Sequence, residues 1–469
     1  MRPMARARLI ATAAMAAVLA GCSLAPAYSP PATPIAPAFK EQGPWTPAAP
    51  ADAQARGQWW AMFSDPVLDD LEARAERANP SLAAAVAAYD QARALAAQAR
   101  AGLVPEIDGS ALTQRQRRSD NAPLRVGGPD DYSTNQVGAS VAYEIDLWGR
   151  LRNIASGAGD RAQASEADLR SMRLSLQADL ADDYLSLRGL DAQLRLLQAT
   201  VAAYARALEL TQILHNGGNA TGLDVGRAQT QLSTAKAQLT DVTAQRALLE
   251  HAIAALVGES ASAFSLAPTE AALPQPKVAV SAPSTLLQRR PDIAAAERRA
   301  AAANADIGVA RAALFPALTL DGSAGWQTAG GVNLLSAPNT FWMVGPQLVG
   351  AIFDGGRRRA GVRASRAAFD QASANYRGVV LNAFRDVEDQ MALANRLAAE
   401  ATDQDEAVTA ARRTEELANI RYRQGVATYL DVVTAQTAAL TAEQAAIQLN
   451  TRRLQASVNL TRALGGAWT

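Results

Sequence analysis

Apolar residues recur along this chain with two different periods. Leu176, Leu180, Tyr184, Leu187, Leu190, Leu194, Leu197, Val201, Tyr204 and Leu208 step by three or four. That spacing predicts one helix from about 152 to 215, roughly 60 residues, which spans about 90–100 Å at 1.5 Å per residue. The mean step, about 3.5, is the coiled-coil period and predicts left-handed supercoiling. A second such helix is expected from about 357 to 424. Each turns at a glycine, Gly218 or Gly425, and returns as a shorter helix that ends at Gly258 or Gly465. Elsewhere the period is two. Val137, Ala139, Val141, Tyr143, Ile145 and Leu147 alternate with Gly138, Ser140, Ala142, Glu144 and Asp146. This predicts a strand over about 136–148 with one apolar and one polar face. Leu318, Leu320, Ala324 and Trp326 share a face of a strand at about 317–327. Further strands are expected at about 106–115 and 341–353. In the last, Val344, Leu348 and Ile352 keep the pattern, although Pro346 weakens it.

Strands of about ten residues suit a tilted transmembrane β-strand. Trp148, Trp326, Phe341 and Trp342 at strand ends suit an interfacial girdle. The alternative is two hairpins of a soluble α+β protein. Four strands cannot close a useful barrel, so a membrane barrel would have to be shared between chains.

The chain also repeats itself. Asn79-Pro80-Ser81-Leu82 opens an alanine-rich run ending at Pro105, and Arg290-Pro291-Asp292-Ile293 opens another ending at Pro316, 211 residues later. The turn segments 215–225 and 422–432 match at an offset of 207. A repeat this long is a duplicated half-protein, since solenoid units run to only about 20–50 residues. The expected organisation is a signal peptide (1–21), a tether (22–60), a first repeat (61–258) with its helical hairpin at 152–257, a connector (259–290), and a second repeat (291–469) with its hairpin at 357–465.

The N-terminus supports export. Arg2, Arg6 and Arg8 precede an apolar run, Leu9 to Ala20, that is too short to span a bilayer. It ends in Leu19-Ala20-Gly21-Cys22, and Cys22 is the sole cysteine. The segment resembles a bacterial lipoprotein signal, which implies cleavage before Cys22 and lipid on its thiol and amine. An ordinary secretory signal with an incidental cysteine is the alternative. Ser23 follows rather than aspartate, which in that resemblance implies the outer membrane. Several acyl chains make a stable anchor. Residues 23–58 are rich in Pro and Ala and read as an extended tether.

Composition narrows the chemistry. The chain is rich in Ala, which favours long helices, and its formal net charge of zero invites no nucleic-acid partner. Only His215 and His251 are present, and His215 reads as a turn residue. With Cys22 lipidated, no Cys/His metal cluster is expected within one chain. Asp182-Asp183 reads as a solvated or tunnel-lining face, and Arg357-Arg358-Arg359 as an interfacial anchor or helix surface. Glu144 and Asp146 would tint a lumen acidic. No catalytic constellation appears, so neither an enzyme nor a cofactor beyond the lipid on Cys22 is expected.

Three sets of residues carry a wider resemblance. The first is Arg289-Arg290-Pro291-Asp292-Ile293 with Ala296-Glu297, 302–310 and Leu314-Phe315-Pro316. The second pairs 144–150 with 352–357, and the third pairs Leu223-Asp224-Val225 with Leu430-Asp431-Val432. Together they resemble the TolC-like outer membrane efflux proteins, and within them the NodT-type lipoproteins, over essentially the whole mature chain. The resemblance implies an α+β membrane protein. Three copies would each give four strands to a twelve-stranded outer-membrane β-barrel continuous with a long periplasmic α-helical barrel.

It also implies a passive exit duct for small-molecule drugs or toxicants, lipid-anchored in the outer membrane and reaching into the periplasm. Its partners would be a periplasmic adaptor and an inner-membrane transporter of the resistance-nodulation-division class. A protein-secretion channel, or a pore-less periplasmic coiled-coil scaffold lipoprotein, are the competing functions. The family's gate and adaptor contact lie at the helical turns and open like an iris. The candidate residues are Gly218, Thr221, Leu223, Asp224, Gly425, Thr428, Tyr429, Leu430 and Asp431. A plainer role stands beside this: Thr221/Asp224 and Thr428/Asp431 have capping-box spacing, and the glycines permit left-handed turns. His215 and Gly222 become Tyr422 and Tyr429 in the second copy, which favours the second turn as the gate.

Overall fold

Four strands, two from each half of the repeat, form a single antiparallel sheet in the computed structural model. It describes residues 23–33, 39–41, 57–119, 121, 130–269, 273–276, 278, 290–330 and 333–466. The signal segment and Cys22 lie outside the described residues. The strands are β1 (Glu106–Arg117), β2 (Asp131–Ile145), β3 (Ala317–Thr328) and β4 (Thr340–Val349), side by side in chain order. The helices are α1 (Pro66–Ala78), α2 (Pro80–Ala101), α3 (Arg150–Asn216), α4 (Gly222–Leu256), α5 (Pro291–Ala312), α6 (Arg357–Arg423) and α7 (Tyr429–Ala463). Two compact units result, one of 1–32, 88–166 and 295–377, the other of 33–87, 167–294 and 378–469.

The duplication holds residue for residue. α3 and α6 are each 67 residues long, and α4 and α7 each 35. Both pairs stand 207 residues apart at either end, and α2/α5 and β1/β3 stand 211 apart. A helix of 67 residues is about 100 Å long.

Register decides the faces of the sheet. Val137 lies opposite Trp326, Val141 opposite Gly322 and Ile145 opposite Leu318. Gly322 in turn lies opposite Val344, Leu318 opposite Leu348 and Ala324 opposite Trp342. Opposed residues of antiparallel strands point the same way. Ile107, Ala111, Val137, Val141, Leu320, Trp326, Trp342, Val344 and Leu348 therefore line one apolar face. Glu106, Asp108, Ser110, Gln136, Ser140, Thr319, Asp321, Ser323 and Gln347 line the other. Every residue of β1 is exposed, and Trp342 is 77% exposed. Gly325 faces Gly138, and a Cβ on Gly325 would stand 2.3 Å from the Val137 carbonyl.

Strand ends differ from expectation. β2 begins at Asp131 rather than near 136, because β1 runs on to Arg117 and carries the ladder with it. It ends at Ile145, so Leu147 lies outside it. Trp148 does not project from the strand end. It stacks on Phe315 at 4.6 Å and donates its indole N–H to the Pro316 carbonyl at 2.8 Å. β4 stops at Val349 instead of 353, where its partner β3 begins at Ala317. Ile352 and Phe353 beyond it are 104% and 89% exposed. Pro346 is accommodated because β4 is an edge strand.

The core of the second unit gathers Trp59, Trp60, Phe63, Leu68, Leu71, Leu176, Leu180, Tyr184, Leu187, Ile253, Leu454 and Val458. The tether boundary at 60 is therefore too late, since Trp59 and Trp60 are already core. Leu197, Tyr204 and Leu208 of the predicted stripe are also buried, and Leu190, Leu194 and Val201 are half-buried. Asp65 caps α1 through the amides of Val67 and Leu68 and accepts the Tyr184 hydroxyl at 2.5 Å. Arg188 and Arg246 converge on buried Asp191 at 3.1 and 2.7 Å, a network with no periodic signature in sequence.

The paired motifs that open α2 and α5 have matching structural roles. Asn79 donates to the Leu256 carbonyl at 2.9 Å, and Arg290 donates to the Ala463 carbonyl at 3.1 Å. Each thus satisfies a last-turn carbonyl of a returning helix. Within the expected tether, Leu24, Pro26 and Tyr28 are held by side chains of α5. Arg311 donates to the Leu24 carbonyl, Asn304 to the Pro26 carbonyl, and Tyr28 to the Glu297 carboxylate at 2.8 Å.

Candidate functional site

The two helical turns are built alike. α3 closes with Gly218 at φ 75°, its amide bonded to the His215 carbonyl at 2.9 Å and that of Asn219 to Leu214 at 2.7 Å. α6 closes with Gly425 at φ 75°, its amide bonded to Tyr422 at 2.9 Å and that of Val426 to Arg421 at 3.0 Å. These are paired Schellman closures, and each needs a residue in the left-handed region, which glycine adopts freely. The returning helices start with full capping boxes. Thr221 Oγ1 accepts the Asp224 amide at 3.2 Å, and the Asp224 carboxylate accepts the Thr221 amide at 3.1 Å. Thr428 and Asp431 do the same at 3.3 and 2.8 Å. Hydrogen bonds from Thr428 hold the Asp431 carboxyl below the usual carboxylate range.

The turns meet through a small apolar cluster. Tyr204 and Leu208 of α3, Ala228 and Leu232 of α4, and Tyr429 and Val432 of α7 pack together, with Tyr422 alongside. Tyr422 and Tyr429 stand edge to face, ring centroids 5.4 Å apart. Thr211, fully buried on α3, turns its own hydroxyl back to the Ala207 carbonyl at 2.8 Å. Burial raises both phenols above their ordinary pKa. His215 closes its own turn, its Nδ1 2.9 Å from the Ala220 carbonyl.

The candidate residues therefore separate. Gly218, Thr221, Asp224, Gly425, Thr428 and Asp431 shape the turns. Tyr429 is 4% exposed and packs inward, whereas Leu223 and Leu430 are 63% and 48% exposed. Val426, in the same turn segment, is also exposed and was not singled out from sequence. Thr211 left no signal either, as a lone threonine inside a long helix. The Thr434 hydroxyl bonds back to the Leu430 carbonyl at 2.8 Å.

Two expectations about charge change. Asp182 is not a solvated residue. It accepts a hydrogen bond from Asn459 at 3.1 Å, and burial pushes it up to about 6. Glu144 is clasped by Arg150 and Asp146 by Arg152 at 3.2 Å, so their charges are matched locally. The acids of the polar sheet face outside these pairs are Glu106, Asp108 and Asp321. Among the described residues, no group of acids, histidines or cysteines is arranged to hold a metal, and no helix is long and apolar enough to cross a membrane.

An amphipathic sheet of duplicated hairpins, joined to duplicated helices of this length, defines a class. Residues 72–259 and 282–466 match the outer membrane efflux protein family, and the chain belongs to it. It is 35% identical over 433 residues to the pyoverdine export outer membrane protein OpmQ of Pseudomonas aeruginosa, covering 90% of each chain. It is 34% identical over 467 residues to the toluene efflux pump outer membrane protein TtgF of Pseudomonas putida, covering 97% of this chain and 96% of the relative. Its fold superposes on the outer-membrane channel OprN with a TM-score of 0.87 at 30% identity, covering 95% of this chain and 100% of that one.

Proposed function

We propose that this chain is the outer-membrane channel of a tripartite efflux pump, conducting small-molecule drugs or toxicants passively to the cell exterior. One observation carries the reading furthest. The sheet exposes an apolar face, keeps a polar face opposite, and among the described residues leaves both edges, β1 and β4, without a partner strand. Lipid on one face and water on the other satisfy such a sheet, and closure with other copies satisfies its edges. Three copies would make twelve strands, with α3, α4, α6 and α7 extending as a helical barrel into the periplasm. Acylation at Cys22 would anchor the mature chain. An adaptor and an inner-membrane transporter of the resistance-nodulation-division class would deliver cargo, and the chain itself would catalyse nothing. The names of OpmQ and TtgF, which refer to pyoverdine export and toluene efflux, support small molecules over secreted protein.

The gate of this channel lies at the paired turns. Leu223, Val426 and Leu430 are its exposed apolar residues, and the Tyr422–Tyr429 pair holds the second turn against α3. Purified protein in planar bilayers should give discrete conductance steps, and Leu430→Ala should raise the conductance or the open fraction. A protein that inserts without conducting would refute the channel. Unchanged gating in both Leu430→Ala and Tyr429→Ala would remove these residues from the constriction. Labelled palmitate should enter the wild-type chain and not Cys22→Ala.

A further inference from the structure

Residues 23–32 run as a strap along α5, and the repeat gives that helix surface a second copy. The Leu24 carbonyl accepts from Arg311 at 3.1 Å and the Pro26 carbonyl from Asn304 at 2.9 Å. The Ala32 carbonyl accepts from Arg377 of α6 at 3.1 Å. Between the first two, Ala25 lies so close to Gly308 that a Cβ there would stand 2.8 Å from its methyl. Leu24, Ala25, Pro26 and Tyr28 are half-buried. The strap is thus gripped by its carbonyls, and its prolines pre-set an extended backbone.

The repeat displaces α5 from α2 by 211 residues and α6 from α3 by 207. At those displacements Arg311, Asn304 and Arg377 correspond to Arg100, Arg93 and Arg170, so each donor to the strap has a donor as its counterpart. Arg93, Ala97 and Arg100, with Tyr89 and with Gly159 and Ala162 of α3, line a groove of about 550 Å3. The chain carries one strap for these two surfaces. We infer that the groove between α2 and α3 binds an extended, proline-containing peptide of a partner protein, held by its carbonyls as the strap is held on α5.

The differences between the two surfaces describe that peptide. Ala97 carries a methyl where Gly308 has none, so a chain bound here stands further from α2. Gly159 and Ala162 take the places of Arg366 and Phe369, so the α3 wall is cut back. Together they make room for an apolar side chain larger than that of Ala25. Arg93 is held at the groove by Asp90 at 3.6 Å and by the Tyr89 ring, 5.6 Å away. Arg100 has no acceptor among the described residues and is the donor that a peptide carbonyl would meet, as Leu24 meets Arg311. Glu297, which accepts the Tyr28 hydroxyl, is replaced by Val86. The groove is therefore suited to a different peptide from this chain's own strap.

Fluorescence anisotropy on the full-length protein in detergent tests this. The probes are a labelled peptide with the sequence of residues 23–32 and the same peptide carrying Ala25→Leu. Both should bind saturably, the Ala25→Leu peptide more tightly. Arg100→Ala, an exposed position that leaves the fold alone, should weaken binding about tenfold through loss of a charge-assisted hydrogen bond. Ala162→Trp should fill the groove and abolish binding, whereas Arg311→Ala, on the strap's own surface, should leave it unchanged. A fluorophore on Ala97→Cys should respond to peptide. No saturation up to about 1 mM overturns the proposal. Binding that survives both Arg100→Ala and Ala162→Trp, or that is lost in Arg311→Ala, places the peptide on α5 and overturns it too. A fluorophore that responds to protein concentration or to phospholipid, and not to peptide, gives the groove to a second copy or to lipid and also overturns it.

Discussion

Glu72 shows how much a single residue can carry that no pattern announces. It lies 1% exposed in the core of the second unit, and neither carboxylate oxygen has a hydrogen-bond partner among the described residues. Burial, with Glu76 and Asp69 nearby, pushes its pKa up to about 9. The unfolded chain releases that proton near pH ~4.3, whereas the folded chain keeps it to about 9. Stability from this group is therefore complete at low pH and is lost as pH rises through that window. Glu72→Gln should raise the thermal midpoint at pH 8 and leave it unchanged at pH 4, and an equal gain at both would show that its ionisation is not the cause. Glycines differ by surroundings in the same way. Gly258 and Gly218 share φ 75°, but a Cβ on Gly258 would stand 2.3 Å from the Ala78 carbonyl while Gly218 meets nothing within 4 Å. Gly218→Ala should cost only the roughly 1 kcal/mol of a left-handed alanine, and Gly258→Ala distinctly more, by thermal melting of each. The sequence marks both glycines as turn formers. The crowding at one of them comes from a helix far away in the chain.

At the scale of elements, the helices were the most legible part. Their ends rest on local chemistry: Asp65 and Pro66, the Thr/Asp boxes, and the left-handed glycines Gly218, Gly258, Gly425 and Gly465 after the four longest helices. The capping boxes follow from spacing alone, and Thr428→Ala should cost about 1 kcal/mol by loss of the first-turn bond. The buried stripe was equally plain, and Leu180→Ala, at a fully buried position, should cost about 2.7–5 kcal/mol, measured by chemical denaturation. Strand ends were less legible. β4 falls short of 353 because a strand continues only while a neighbour offers hydrogen bonds, and β3 starts too late to offer them. Trp148 was misplaced for a related reason: its partner, Phe315, sits in the other half of the repeat.

The whole molecule is organised by duplication and by two unlike faces. If the apolar face meets lipid, charge there is costly, about 2–4 kcal/mol for arginine at mid-membrane. Leu348→Arg should therefore reduce the protein recovered in the outer membrane, while Gln347→Arg, its neighbour on the polar face, should assemble normally. Equal recovery of both by membrane fractionation would argue against lipid on that face. The sequence by itself determined the helices, the strand alternation, the repeat and the turn chemistry, because each is written in residues a few positions apart or in a copy of the same segment. Only the tertiary structure decided that β2 meets β3 and in which register. It alone placed Asn79 and Arg290 on the ends of α4 and α7, matched Glu144 and Asp146 with arginines, and turned Tyr429 inward while leaving Leu430 exposed. Those outcomes depend on groups brought together from distant parts of the chain, where burial and hydrogen-bond satisfaction, not local periodicity, choose the partner.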